Sequence, residues 1–381
     1  MLMLMARVRA WLLSVWILAM ALCGVGAQQP VASGTAQSGV ATHISEIGID
    51  RSGLSMQSEA VRQKTLSDIH ALHATWFRDG PSSGTPAGVA NFVEELRLAK
   101  EQDLKVLITI MQMDEDYDGP LVMTDHGWRA KPLSQINLTK FSHRFSALLD
   151  ALKAANIPVD AVEFGSEDDC YYYDADVPSG HTASASELHI WLRGYGEFLK
   201  TGAQILHDPR YYPQANIVTF GMAHSGDWPG AMPQSLAKPA KEVAMLADVD
   251  SFNYLDNASY HVNFIGTHIY ASPSAPAETA TALLHEDTWA LGRAKPLWVT
   301  EFGFLDPTKF PNKTASDESQ AVAQVLAAFD NLGQRVPLGP LCFYSYNSGA
   351  VDSSNHEHGL VDLKGNFVPV AGVLSARAKK R

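Results

Sequence analysis

From Ile44 onward the chain alternates two kinds of hydrophobic pattern. Short β-branched or aromatic runs, bounded by turn residues, fit strands, whereas longer stretches with apolar residues every three or four positions fit one face of a helix. Eight runs read as strands: Ile44–Gly48, Thr75–Arg78, Lys105–Met111, Ala161–Gly165, Asn216–Phe220, Asn263–Tyr270, Leu297–Glu301 and Leu341–Tyr346. Between them, Ser58–Leu72, Val89–Glu101, Thr139–Ala155, Ala185–Leu206, Ala277–Leu291 and Ser316–Leu332 read as amphipathic helices. Strand and helix in alternation build a parallel sheet, and eight strands close a barrel. The pattern therefore predicts an α/β fold, a single (β/α)8 TIM barrel with long loops after its strands.

The length supports the long loops. Such a barrel needs about 250 residues, and this chain has 381. The longest stretches without periodicity are Asp114–Ser134, Asp168–Ala183, Ala223–Ala237 and Phe302–Ala315, and each follows a strand and precedes a helix. All four are thus expected on the carboxyl-terminal face of the barrel, where such folds place active sites. They are rich in carboxylates and aromatics, among them Asp114, Glu115, Asp116, Asp118, Trp128, Tyr171, Tyr172, Tyr173, Asp227 and Trp228. Aromatic faces stack on the C–H faces of sugar rings while carboxylates accept from hydroxyls. Loops favour the same residue types for ordinary reasons, so composition alone leaves a carbohydrate site and plain loops equally open.

With 46% hydrophobic and 18% charged residues the chain is a folded globular protein. A net charge of −12 provides no positive field for nucleic acid. At the amino terminus Arg7 and Arg9 precede the apolar run Trp11–Leu22 and the small residues Gly24-Val25-Gly26-Ala27, the layout of a secretory signal cleaved after Ala27. The run is shorter than the about 20 residues of a membrane span, and Leu22 before Cys23 disfavours lipid attachment. Residues 1–27 are therefore expected to be a signal peptide, 28–40 a flexible leader and 41–381 one catalytic domain. The mature protein is expected to be secreted or periplasmic, without membrane contact after cleavage, and monomeric. Only Cys170 and Cys342 would remain, on opposite sides of the barrel, too sparse for a disulfide scaffold.

Two strand ends carry the sharper chemistry. Val162-Glu163-Phe164-Gly165-Ser166-Glu167 closes the fourth strand and Leu297-Trp298-Val299-Thr300-Glu301-Phe302-Gly303 the seventh. A carboxylate at the end of a buried strand is costly unless it has partners or a task. The fourth and seventh strands lie three apart in a ring of eight, so both glutamates can converge over its mouth. Cleaving a glycosidic bond needs such a pair, one carboxyl to protonate the leaving oxygen and one to attack the anomeric carbon or activate water. The alternative is two wall glutamates held in ion pairs with Arg78 or His268.

These phrases resemble the clan of (β/α)8 retaining glycoside hydrolases that includes cellulase-like endoglucanases, β-mannanases and the β-xylosidase-like family. Trp298-Val299-Thr300-Glu301-Phe302-Gly303 is similar to the clan's nucleophile motif, which implies Glu301 as nucleophile. Glu163-Phe164-Gly165-Ser166-Glu167 aligns with its acid/base motif and implies Glu167 as acid/base, with Ser166 where the clan carries Asn. That Asn holds the substrate's 2-hydroxyl, and Ser reaches less far. The resemblance further implies Arg78, in Trp76-Phe77-Arg78-Asp79-Gly80, as a partner that keeps the nucleophile ionised, and His268 and Tyr270, in Gly266-Thr267-His268-Ile269-Tyr270, beside the nucleophile. The eighth strand, Cys342-Phe343-Tyr344-Ser345-Tyr346, has no Trp to floor the site. Alternation points Tyr344 and Tyr346 the same way, and either can serve; Trp228 is the platform candidate from the loops.

The implied protein is a secreted retaining β-glycosidase acting on a poly- or oligosaccharide. Two carboxyls supply both proton and nucleophile, so no cofactor is expected. His356-Glu357-His358 offers zinc-type ligands, but metal-dependent hydrolase barrels carry a His-x-His pair on the first strand, where only His43 and Glu46 stand. No metal is expected. The rival from another class is a non-catalytic secreted carbohydrate-binding protein derived from such an enzyme.

Overall fold

The computed structural model of the protein describes residues 45–119, 122–123, 129–171, 173–178, 183–223, 246–272, 275–290, 295–303, 315–333, 337–346, 359–362 and 364–380. The expected signal peptide and leader lie outside the described residues, as do Trp228 and His356-Glu357-His358.

Eight strands form one sheet: β1 (Ile47–Asp50), β2 (Trp76–Asp79), β3 (Lys105–Ile110), β4 (Ala161–Phe164), β5 (Asn216–Thr219), β6 (Ile265–Tyr270), β7 (Leu297–Gly303) and β8 (Leu338–Tyr344). Every neighbouring pair is parallel, in the order β6-β7-β8-β1-β2-β3-β4-β5. The ring closes between β5 and β6, where Asn263 N–H donates to Ile217 O at 2.9 Å and Met222 N–H to Gly266 O at 3.3 Å. The expected (β/α)8 barrel is the observed fold. Seven helices accompany it among the described residues: α1 (Glu59–Ala71), α2 (Pro86–Glu101), α3 (Leu138–Ala154), α4 (Ala185–Leu206), α5 (Pro276–Ala290), α6 (Ala315–Gly333) and α7 (Pro369–Ala378).

Local chemistry explains where the helices start. Thr85 caps α2 by accepting from Gly88 N–H, with Pro86 at the first helical position, and Asn137 caps α3 by accepting from Thr139 and Lys140 N–H. Ser184 and Glu187 form a reciprocal capping box on α4. All seven residues of β7 are buried, as expected of a parallel strand covered on both faces. The amino-terminal half of the barrel is plugged by Trp76, Leu107, Ala161, Val218 and Trp298, with the two indoles edge to face at 4.7 Å.

Most strand ends differ from the sequence expectation by one to three residues, and two of the shifts bear on the site. β1 runs to Asp50 rather than stopping at Gly48, and β8 begins at Leu338 although Gly339-Pro340 reads as a breaker. Both shifts follow from pairing, since Asp50 lies beside Tyr344 on β8 and Arg78 on β2, and Leu338 lies beside Leu297 on β7. Cys170 and Cys342 are both buried and form no disulfide with each other. Among the described residues no helix is long and apolar enough to cross a membrane.

Candidate active site

Register places the polar side chains. Asp50 pairs with Arg78 across β1 and β2, Thr109 with Glu163 across β3 and β4, and His268 with Glu301 across β6 and β7. All stand near the carboxyl-terminal ends of their strands, so their side chains meet at one end of the barrel.

Arg78 is the hub of that cluster. Its Nη1 contacts Asp50 and lies 2.6 Å from Glu301 Oε1, while Nε donates to Glu163 Oε2 at 2.8 Å. Nη2 also donates to Ser166 Oγ at 3.4 Å. One guanidinium thus serves three carboxylates, which its planar fork permits and a lysine would not. Burial pushes the Asp50 carboxyl up to about 6 despite Arg78, because Glu301 adds a second negative charge.

The three glutamates separate by access. Glu163 is 0% exposed, tied to Arg78 and to the Thr109 hydroxyl at 2.8 Å, with no route outward. Glu167 and Glu301 keep 7% and 8% of their surface. The local backbone makes this difference. Glu163 lies within β4, whereas Glu167 follows it on a left-handed turn, with φ +90° at Gly165 and +51° at Glu167.

His268 stands between the two accessible glutamates. Its Nδ1 is 2.8 Å from Glu167 Oε1, and its Nε2 is 3.5 Å from Glu301 Oε1 without a hydrogen bond. Burial works against a charged imidazole here, but the charges of Glu301 and Glu167 outweigh it and raise its proton affinity. Glu301 shows the reverse balance. Burial pushes its carboxyl up, yet His268, Arg78 and the Tyr270 hydroxyl, which donates to Oε2, together hold it below the usual carboxylate range. Donor atoms of Glu167, His268 and Glu301 all lie within 4.8 Å of one another. Within this trio His268 is engaged by Glu167, and Glu301 by Arg78 and Tyr270.

The structure therefore brings together Arg78, Glu167, His268, Tyr270 and Glu301, as expected from sequence. The expected pairing of Arg78 with Glu301 is present, and Arg78 makes no ion pair with Glu167. His268 lies beside Glu301, as expected, with Nε2 3.5 Å from its Oε1, and its hydrogen bond is with Glu167. Tyr344 joins the site with its ring edge to face with Tyr270 at 6.3 Å. Tyr346 does not: it lies past the end of β8, where alternation no longer applies, is 4% exposed and donates its hydroxyl to Asp68 ahead of the end of α1. Asp50 was missed because the sequence ended β1 two residues early. Tyr173 was read only as loop composition, yet its phenol lies close enough to Glu167 and Glu301 for their charges, after burial, to raise it.

At the opposite end of the barrel a cavity of about 470 Å³ is lined by Trp76, Lys105, Asp160, Tyr211, Tyr212 and Asn216. It holds no carboxyl pair, so the chemistry belongs to the cluster around Glu167 and Glu301.

No protein-family model and no curated protein sequence matches the chain. Solved structures do resemble it. A monomeric β-xylosidase from Caulobacter crescentus CB15 superposes with a TM-score of 0.61 at 11% identity over 87% of this chain and 67% of that one. A GH5_18 glycoside hydrolase from Streptomyces cattleya, in complex with GlcNAc, gives 0.58 at 14% identity over 88% and 80%. The AHE enzyme from Alicyclobacillus herbarius gives 0.55 at 13% identity over 93% of this chain and all of that one. At such identities the likeness is one of fold, the (β/α)8 barrel.

Proposed function

We propose that the protein is an exported retaining β-glycosidase that hydrolyses O-glycosidic bonds in a poly- or oligosaccharide by double displacement. One observation carries this most: oxygens of Glu167 and Glu301 approach within 4.8 Å over the barrel mouth. Retaining enzymes hold their carboxyls about 5 to 5.5 Å apart, whereas inverting ones need roughly 6.5 to 9.5 Å to admit a water.

Glu301 attacks the anomeric carbon, and Glu167 gives its proton to the departing glycosidic oxygen as that C–O bond breaks. A glycosyl ester on Glu301 results. Glu167, now a carboxylate, takes a proton from water as the water oxygen attacks the same carbon and releases Glu301. Arg78 and Tyr270 keep Glu301 ionised and aimed, and His268 fixes Glu167 from the other side. Both steps use only the two carboxyls, so no cofactor is called for. The neighbours described as a β-xylosidase and as a GlcNAc complex support a carbohydrate ligand. Export is supported by Arg7, Arg9, the apolar run Trp11–Leu22 and the small residues before Gln28.

The rival, a carbohydrate-binding protein without turnover, draws on the ion pairs that engage both glutamates. A panel of 4-nitrophenyl β-glycosides and β-linked polysaccharides separates the two. The enzyme turns over at least one of them, and Glu301→Gln lowers that turnover by about 10³-fold or more. A binder hydrolyses none, and Glu301→Gln leaves its glycan affinity in place.

A further inference from the structure

The turn that presents Glu167 is built with unusual care. Two of its residues, Gly165 and Glu167, take left-handed backbone angles, which for a non-glycine costs about 1 kcal/mol or more unless the surroundings hold it. Glu167 N–H donates to Gly221 O at 3.0 Å, and Cys170 N–H to Glu167 O at 2.9 Å. The remaining support comes from Asp168, which is 0% exposed and whose side chain folds back under the turn. Its Oδ1 accepts from Gln112 Nε2 at 3.3 Å, its Oδ2 is buried without a hydrogen-bond partner among the described residues, and its carbonyl accepts from Trp191 Nε1 at 2.7 Å. Oδ2 fills the space that Gly165 leaves: a Cβ there would stand 1.8 Å from it. Glycine at 165 is thus needed for the carboxyl of Asp168, as well as for φ.

Resting on the assignment of Glu167 as the acid/base, we propose that Asp168 is its positioning residue: a neutral carboxylic acid sealed beneath the turn, which aims Glu167 at the leaving-group oxygen. The titratable groups facing it are Glu163 on β4, Glu167 in the turn, Asp174 in the following loop, Tyr117 after β3 and Tyr195 on α4. All are acids, and among the described residues no Lys, Arg or His donates to Asp168. An ionised carboxylate there would be a buried charge among like charges. Consistently, burial pushes its carboxyl up to about 8, against the Gln112 hydrogen bond and with help from Glu163.

Two substitutions and two readouts test this. Asp168→Asn keeps shape and neutrality, so kcat on the aryl β-glycoside that the intact protein hydrolyses should stay within about threefold. Asp168→Ala removes the support and should lower kcat by roughly 10- to 100-fold with KM little changed. Its loss in kcat/KM should be larger for a 4-nitrophenyl than for a 2,4-dinitrophenyl leaving group, because the better leaving group needs less help from the acid. A loss equal for both leaving groups, or no loss, overturns the proposal.

Thermal unfolding gives an arm that needs no substrate. The folded protein keeps the Asp168 proton up to about 8, whereas an ordinary Asp releases it near 3.8, so this group costs stability as pH rises through that window. The melting temperature of Asp168→Asn should therefore gain on the parent by about 2 °C or more between pH 5 and pH 8. A constant difference overturns the neutral state. Should Asp168→Ala not fold, Asp168→Asn decides alone, since a kcat fallen far beyond threefold is equally fatal. If the parent chain hydrolyses no glycoside, the proposed function fails, and the melting comparison still reads the state of Asp168.

Discussion

Three glutamates lie within reach of one arginine or histidine at the barrel mouth, and their surroundings give them different tasks. Glu163 spends its charge on Arg78 and Thr109 in the sealed wall. Glu301 shares Arg78 but keeps an edge toward the mouth, and Glu167 takes its partner from β6. Tyr270 is the residue whose share can be measured most cleanly, since Phe preserves its packing. Its hydroxyl hydrogen-bonds an ionised carboxylate, a contact worth about 1.5 to 3 kcal/mol. Tyr270→Phe should accordingly lower kcat/KM by roughly 10- to 100-fold. It also removes one of the groups that hold Glu301 low, so the acid limb of the pH profile should move to higher pH as the nucleophile becomes easier to protonate. An unmoved limb would show that the hydroxyl does not stabilise the ionised Glu301. At this scale the sequence was informative where a residue type is tied to a strand end, as for Arg78, His268, Tyr270 and Glu301. It was silent where the direction of a side chain depends on where a strand stops, as for Tyr346 and Asp50.

At the scale of elements, β4 and the turn after it decide access. The strand carries Glu163 inward, and four residues later the left-handed turn carries Glu167 toward the mouth. Gly165→Ala puts a methyl group 1.8 Å from Asp168 Oδ2 and on a φ of +90°, so we expect it to lose turnover by about 100-fold or to unfold below the parent's melting point. Parent-like kinetics and melting would mean that the turn is not fixed as described. The helices were legible because their caps are written locally, as in Ser184 with Glu187 on α4, whose bounds match the sequence expectation at both ends. The turn was not legible in advance, because Gly-Ser-Glu-Asp is an ordinary loop phrase until β5 supplies Gly221 O and β3's loop supplies Gln112.

For the whole molecule, the notable electrostatic feature is a store of buried protons. Burial raises Asp50 to about 6, Asp79 to about 7 and Asp168 to about 8, and lifts Glu95 and Asp174 well above their ordinary values. Each such group binds its proton more tightly folded than unfolded, so stability is greatest below the ordinary carboxylate range of the unfolded chain and is lost as pH rises through these folded values. The exposed carboxyls with lowered values, such as Asp208 at about 2, act only in more acidic solution. The melting temperature should fall steadily from pH 5 to pH 8 at constant ionic strength; a rise over that interval would mean that the buried acids are ionised and paired. The barrel itself was readable from eight strand-like runs, because alternation of strand and helix is a property of the pattern and not of any single contact. The tight packing of Glu167, His268 and Glu301 was readable only as convergence, since distances depend on rotamers that the sequence does not state.

The proposed double displacement rests on that convergence, and the stereochemistry of the product tests it most directly. Proton NMR of the sugar released in the first minutes of hydrolysis, before mutarotation, distinguishes the anomers. Two carboxyls within 4.8 Å leave no room for a water between nucleophile and sugar. The first-formed product from a β-glycoside should therefore be the β-anomer; an α-anomer appearing first would show inversion and contradict the assignment of Glu301 as a nucleophile.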